Sequence, residues 1–168
     1  MNDSPNESGY LSEQDDLFGA NRHNDAPPAG VGGVLRAVVD SAAVPAEPGL
    51  SAEIELVVAD DDTAIAIRSG EVPVLGTPRV VALCEEATVA ALAGRLGPGE
   101  TSVGHSIQLD HVAPTRVGTA VRAEATLLKV NGRKLVFSVS VTDARGLIAA
   151  GKITRVVVDT DRFMEKAH

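Results

Sequence analysis

Apolar and polar positions alternate along most of the chain beyond residue 50, and one long apolar-rich stretch interrupts the alternation. Residues 52–58 (AEIELVV) put Ile54, Leu56 and Val58 on one face, which predicts a strand. Asp60, Asp61 and Asp62 predict a turn, and residues 63–68 (TAIAIR) alternate again as a hairpin partner for that strand. A connection containing Gly70 and Pro73 follows. The clearest helix comes next. Thr77 suits its N-cap, Pro78 suits the first helical position, and no proline interrupts the stretch from Arg79 to about Leu96, where Gly97-Pro98-Gly99 stops it. Val80, Val81, Ala82, Leu83, Cys84, Ala87, Val89 and Leu92 cover most of its circumference, so the helix is expected to be buried rather than laid on a surface. Four further β segments follow at residues 102–113, 120–130, 135–141 and 147–158, the middle pair joined by the hairpin dipeptide Asn131-Gly132.

Two strands, one long helix and a four-stranded meander predict an α+β domain in which one antiparallel sheet wraps around a central helix. That is the hotdog fold. The domain is expected to occupy residues 50–163, followed by a short C-terminal tail at 164–168. Residues 31–49 read as a short helix or linker closed by Val44-Pro45-Ala46-Glu47-Pro48. Residues 1–30, rich in Asn, Asp, Ser, Gly and Pro, are expected to be a disordered acidic tail, because so few apolar groups cannot offset the entropy of ordering.

Composition narrows the function. The net charge is −8, and only 2% of residues are aromatic, which disfavours nucleic acid and anionic membranes as partners. Residues 1–26 carry Asp3, Glu7, Glu13, Asp15, Asp16 and Asp25 against Arg22 alone, so most of that charge belongs to the tail. A single cysteine, Cys84, excludes an intramolecular disulfide framework and a cysteine-based zinc cluster. The three consecutive aspartates lack the spaced ligands and glycine of a calcium loop. The polar, acidic N-terminus is unlike a signal peptide and no run approaches a membrane span, so a soluble, cytoplasmic protein is expected.

Ionisable groups on apolar faces are the candidates for chemistry, since burial must be compensated. Strand parity puts His105 and His111 on one side with Ile107 and Leu109. His105 reads as structural. On the helix, Thr77, Val81, Glu85 and Thr88 fall near one stripe, and Glu86 points about 100° away from Glu85. A Glu near a His offers acid–base chemistry, and free amides at the helix start could polarise a carbonyl oxygen. Cys84 has no basic neighbour and reads as packing.

At this point a set of motifs resembles a known family. Leu75-Gly76-Thr77-Pro78, then Glu85-Glu86, Gly99-Glu100-Thr101-Ser102-Val103-Gly104, His111-Val112-Ala113-Pro114-Thr115 and the stretch from Gly151 through Arg155 to Arg162-Phe163 are similar to the fluoroacetyl-CoA thioesterase-like branch of the hotdog superfamily. The resemblance covers about residues 72–163. It implies an acyl-CoA thioesterase that hydrolyses a short- or medium-chain acyl-CoA to free acid and coenzyme A, with no cofactor and no metal. It implies Thr77, Glu85 and His111 as the catalytic set, with Glu85 as nucleophile or general base, and Gly104 and Gly76 at the oxyanion and substrate. It also implies a homodimer with acyl-CoA across the interface, where Arg116, Arg133 or Lys134 could meet the phosphates. The family's fluoroacetyl-specific member carries phenylalanines in a lid, whereas residues 63–75 here hold no aromatic residue. Two rival readings are a hydratase-like hotdog enzyme using Asp110 and His111, and a non-catalytic acyl-CoA binder or sensor. Adjacent strand residues face opposite sides, which counts against the first.

Overall fold

The structure, a computed structural model, describes residues 45–167. The expectation for the acidic tail at residues 1–30 lies outside them, as do residues 31–44 of the expected short helix or linker and His168. Alternating segments form strands β1 (Ser51–Val57), β2 (Glu100–His111), β3 (Ala120–Asn131), β4 (Lys134–Asp143) and β5 (Gly146–Asp159), with helix α1 (Thr77–Ala91) after β1 and a short α2 (Thr160–Met164) after β5. The strands pair in the order β1-β3-β4-β5-β2, antiparallel throughout. Hence β2, which follows the helix, lies at one edge of the sheet.

Helix α1 lies mainly against β1 and β3. The floor beneath it is made of small groups, with Ala123 and Ala125 fully buried on β3, which lets the helix backbone come close. Val80, Leu83, Cys84, Ala87 and Ala91 pack down onto Leu127, Phe137, Val139 and Val141. Phe137 is the largest fully buried side chain, and truncating it to alanine would cost about 3–5 kcal/mol.

Three expectations are corrected. Residues 63–68 do not form a strand. The Thr63 hydroxyl donates to the Asp60 carbonyl at 2.7 Å and accepts from the Ala66 amide at 3.3 Å, so local bonds displace the ladder. The amides of Ser69 and Gly70 then turn back to the Ala64 carbonyl, Arg68 is left-handed at φ 59°, and only isolated bridges remain, Thr63 to Leu75 and Val74 to Arg116. The sheet therefore has five strands among the described residues, not six. Second, α1 ends at Ala91 rather than near Leu96, because Gly94 takes the left-handed conformation that terminates helices (φ 69°). Third, the chain buries one face of α1 alone. Val80, Leu83, Cys84, Ala87, Thr88 and Ala91 are covered, while Val89 stays half exposed.

Candidate active site

The start of α1 is fixed from several sides. The Gly76 amide donates to the Asp62 carbonyl at 2.9 Å, the Leu75 amide to Thr115 at 2.8 Å, and Arg79 Nε to the Asp62 carboxylate at 2.9 Å. The middle of the aspartate run is thus a turn, and its last member anchors the helix. Gly76, not Thr77, is the N-cap, with Thr77 and Pro78 the first two helical residues. A side chain at 76 would run into Ile67 and lie 3.1 Å from Ser69 Oγ, so only glycine lets this turn close. Relieved of capping, the Thr77 hydroxyl lies 3.0 Å from His111 Nδ1 at the end of β2. With Thr77 as donor, Nδ1 accepts and the proton sits on Nε2, which is buried without a partner. The helix-start amides are fewer than the sequence suggests. Arg79 and Val80 both donate to the Gly76 carbonyl and Pro78 has no N–H, which leaves the Thr77 amide for a ligand.

Two turns further along α1 lies a second cluster. A register shift between Gly104 and Ser106 puts a bulge in β2 at His105, and this bends Gly104 towards the helix. A Cβ on Gly104 would overlap Glu85 Oε1, so this glycine is the surface on which the carboxylate rests. The same oxygen is 3.3 Å from Arg155 Nη1 on β5. Arg155 is itself held by Ser102, through Nε to the hydroxyl at 2.9 Å and Nη2 to the carbonyl at 2.7 Å. It is 6% exposed, and burial lowers its pKa while the Glu85 charge opposes the shift; a guanidinium stays protonated regardless. Glu86 points away, bonded to Arg79 at 2.9 Å on the exposed side, which separates the two adjacent carboxylates as helical geometry requires.

The sequence-based candidates therefore fall into two groups. Thr77, His111 and Gly76 lie at the start of α1, and Glu85 and Gly104 near its middle, eight residues and about 12 Å further along the axis. Among the described residues, Thr77 meets His111 and Glu85 meets Arg155, with no hydrogen bond joining the two groups. Arg155 and Ser102 were not singled out from sequence as site residues. The available signal is a charge in register with Ile153 and Val157 on an otherwise apolar face of the strand. Cys84 is fully buried, its thiol pushed up to about 11 by burial and then by Glu85, as a packing residue should be. Arg133 spends Nε on the Val157 carbonyl at 2.7 Å. Asp110 is exposed, on the other side of β2 from His111.

Two concavities flank these groups. One, of about 510 Å³, lies along the uncovered face of α1 and is lined by Ala82, Glu85, Glu86, Val89, Ala90 and Arg155, with Glu86 at its exposed rim. The other, of about 330 Å³, opens beside Thr77 and His111 under residues 64–76.

Comparison with known proteins matches this arrangement. The sequence pattern of the family described as fluoroacetyl-CoA-specific thioesterase, FlK, fits residues 58–161. The fluoroacetyl-CoA thioesterase of Streptantibioticus cattleyicolor is 39% identical over 93 residues, which cover 55% of this chain and 67% of that protein. A solved structure of the fluoroacetyl-CoA thioesterase FlK superposes with a TM-score of 0.69 at 31% identity, over 73% of this chain and 95% of that one. A hot-dog-like protein from Thermanaerovibrio acidaminovorans superposes with a TM-score of 0.67 at 26% identity, over 77% and 95%. The five-stranded antiparallel sheet packed on one long helix, among the described residues, is thus a hotdog fold, and the chain belongs to the fluoroacetyl-CoA-specific thioesterase family.

Proposed function

We propose that this protein is an acyl-CoA thioesterase whose two active sites are each completed across a homodimer, with Thr77 and His111 from one protomer and Glu85 and Gly104 from its partner. The carrying observation is the pairing of Thr77 with His111 at 3.0 Å while Glu85 rests on Gly104 two turns away, in a chain of thioesterase ancestry. A two-fold axis passing near Val81 would set two α1 helices antiparallel. Thr77 and Glu85, four residues either side of Val81, would then face each other across the interface. The uncovered apolar face of α1 and the free edge of β2 are surfaces that such a partner would cover.

In this site the thioester carbonyl would lie between the Thr77 amide and hydroxyl and the partner's Gly104. Glu85 takes a proton from water as the water attacks the carbonyl carbon, or attacks that carbon itself and is released by water. Either route forms a C–O bond, breaks the C–S bond and consumes one water, giving a free acid and the coenzyme A thiol. His111, with its Nε2 otherwise unpartnered, moves the proton to the departing sulfur. Arg155 Nη1, 3.3 Å from Glu85 Oε1, orients the carboxylate beside Gly104. No helix among the described residues is long and apolar enough to cross a membrane, and a cytoplasmic location belongs to the same proposal.

The test is coenzyme A thiol release from a panel of acyl-CoAs. Glu85→Gln should lower turnover by about a hundredfold or more while acyl-CoA affinity changes little, and Glu86→Gln should be nearly silent. Equal losses in the two variants would assign the wrong carboxylate. Tight binding across the panel with no hydrolysis would instead favour the acyl-CoA binder.

A further inference from the structure

Residues 63–75, which fail to form a strand, fold into a shell over the start of α1. Beneath that shell is the cavity of about 330 Å³, and Thr77 and His111 form part of its wall. The other walls are aliphatic, including Ala64, Val72 and Val74, and Ser69 adds one hydroxyl. No charged carboxylate, ammonium or guanidinium lines it, and no phenylalanine, tyrosine or tryptophan narrows it. Thr77 and His111 stand at the reacting carbonyl in the thioesterase reading. What lies on the far side of them is therefore reached by the carbon chain attached to that carbonyl.

We propose that this cavity is the acyl pocket and that it selects neutral aliphatic acyl groups several carbons long; the inference rests on the thioesterase reading and deepens it. The size follows from volume. At the ~30 Å³ that a small group occupies in a liquid, a space of about 330 Å³ holds more than an acetyl methyl, and its open mouth limits useful filling to roughly four to eight carbons. The chemistry follows from the walls. A second carboxylate on the acyl group would enter the cavity without a counter-charge, and burying an unpaired charge is strongly unfavourable. A methylene there exchanges water for Ala64, Val72 and Val74.

The experiment measures kcat/KM for the full-length protein with acetyl-, butyryl-, hexanoyl-, octanoyl-, malonyl- and succinyl-CoA. Binding of non-hydrolysable thioether analogues of the same acyl-CoAs is measured alongside. The expected result is a rise of about fourfold per methylene from acetyl until the cavity is filled, with succinyl-CoA at least tenfold below butyryl-CoA. Val72→Phe, at a half-exposed wall position that folding tolerates, should lower the octanoyl-to-acetyl ratio at least tenfold. Val74→Ala, which enlarges the space, should raise that ratio. A flat or falling dependence on chain length, or parity of succinyl- with butyryl-CoA, overturns the pocket while leaving the hydrolase intact. Chain-length-dependent binding of the thioethers without any turnover upholds the pocket and overturns the hydrolase.

Discussion

If the active site is shared between protomers, two dead variants should repair each other. Thr77→Ala removes the hydroxyl that meets His111 Nδ1, and Glu85→Gln removes the carboxylate that rests on Gly104. The lesions are about 12 Å apart along α1, too far for either to stand in for the other. In each variant homodimer both sites are damaged. In a mixed dimer, one site takes Thr77 and His111 from the Glu85→Gln chain and Glu85 from the Thr77→Ala chain, so it is intact. The second site carries both lesions. Random mixing makes half the dimers mixed, so total activity should recover to about a quarter of wild type, and mixed dimers isolated through two affinity tags should reach about half.

If Thr77, His111 and Glu85 instead acted within one chain, every site in the mixed dimer would keep one lesion. Activity would then be the mean of the two homodimers, at or below a few per cent for a lost acid–base group. The separation between about half and a few per cent exceeds any plausible difference in purification. Thiol release at saturating acyl-CoA is the assay, with each homodimer measured separately as background. A mixed dimer at the homodimer mean, shown by mass to contain both chains, refutes the shared site.

Other outcomes follow from the same contacts. Gly104→Ala puts a methyl where Glu85 Oε1 lies, so kcat should fall at least tenfold with little change in melting temperature; unchanged kcat would remove Gly104 from the site. Arg155→Ala leaves Glu85 and Ser102 without their shared partner, and kcat should fall more than KM changes. Added guanidinium ion at sub-denaturing concentration should restore part of the loss, and a variant that responds equally to a sodium salt would show no positioning role. Cys84, with its thiol pushed up to about 11, should react with a disulfide reagent at pH 8 a few hundredfold more slowly than a free thiol, and at full rate once unfolded. Rapid reaction of the native protein would mean that α1 opens easily.

Where sequence and structure agree, the period of the pattern decided the matter. Strand β4 alternates over its ten residues and β3 from Ala120 to Leu127, and the two-residue Gly132-Arg133 turn, one residue later than the expected Asn131-Gly132, sets Asn131 opposite Lys134. Residues 63–68 alternate just as cleanly, yet a six-residue pattern is too short to outweigh the Thr63 hydroxyl and the Arg68 left-handed turn. Thr77 was legible as a helix-start residue, but not its release from capping, because the cap is a backbone role that glycine fills as well. Arg155 was visible only as an oddity in an apolar strand. Its meaning depends on Ser102 and Glu85, 53 and 70 residues earlier in the chain, a separation over which no local pattern carries information.

The remaining disagreement concerns α1, and it points back to the assembly. Its sequence is apolar around most of the circumference, a pattern that calls for cover on every side. The chain covers the face bearing Val80, Leu83, Cys84, Ala87 and Ala91 and leaves Ala82, Val89 and Ala90 bordering an open groove. Glu85 stands in that groove with Arg155, so the uncovered stripe is also the stripe that carries the carboxylate. A monomeric enzyme would gain nothing from apolar neighbours there, since Val89 in water costs solubility and leaves the carboxylate solvated. A second helix laid on the stripe would bury Ala82, Val89 and Ala90 and exclude water from Glu85, strengthening its electrostatic interaction with a bound thioester. The same contact would bring up the Thr77 and His111 that Glu85 lacks in its own chain. In the proposed homodimer, the surplus apolar residues of α1 and the about 12 Å between Thr77 and Glu85 would be two consequences of one arrangement, in which forming the interface and assembling the site would be a single event.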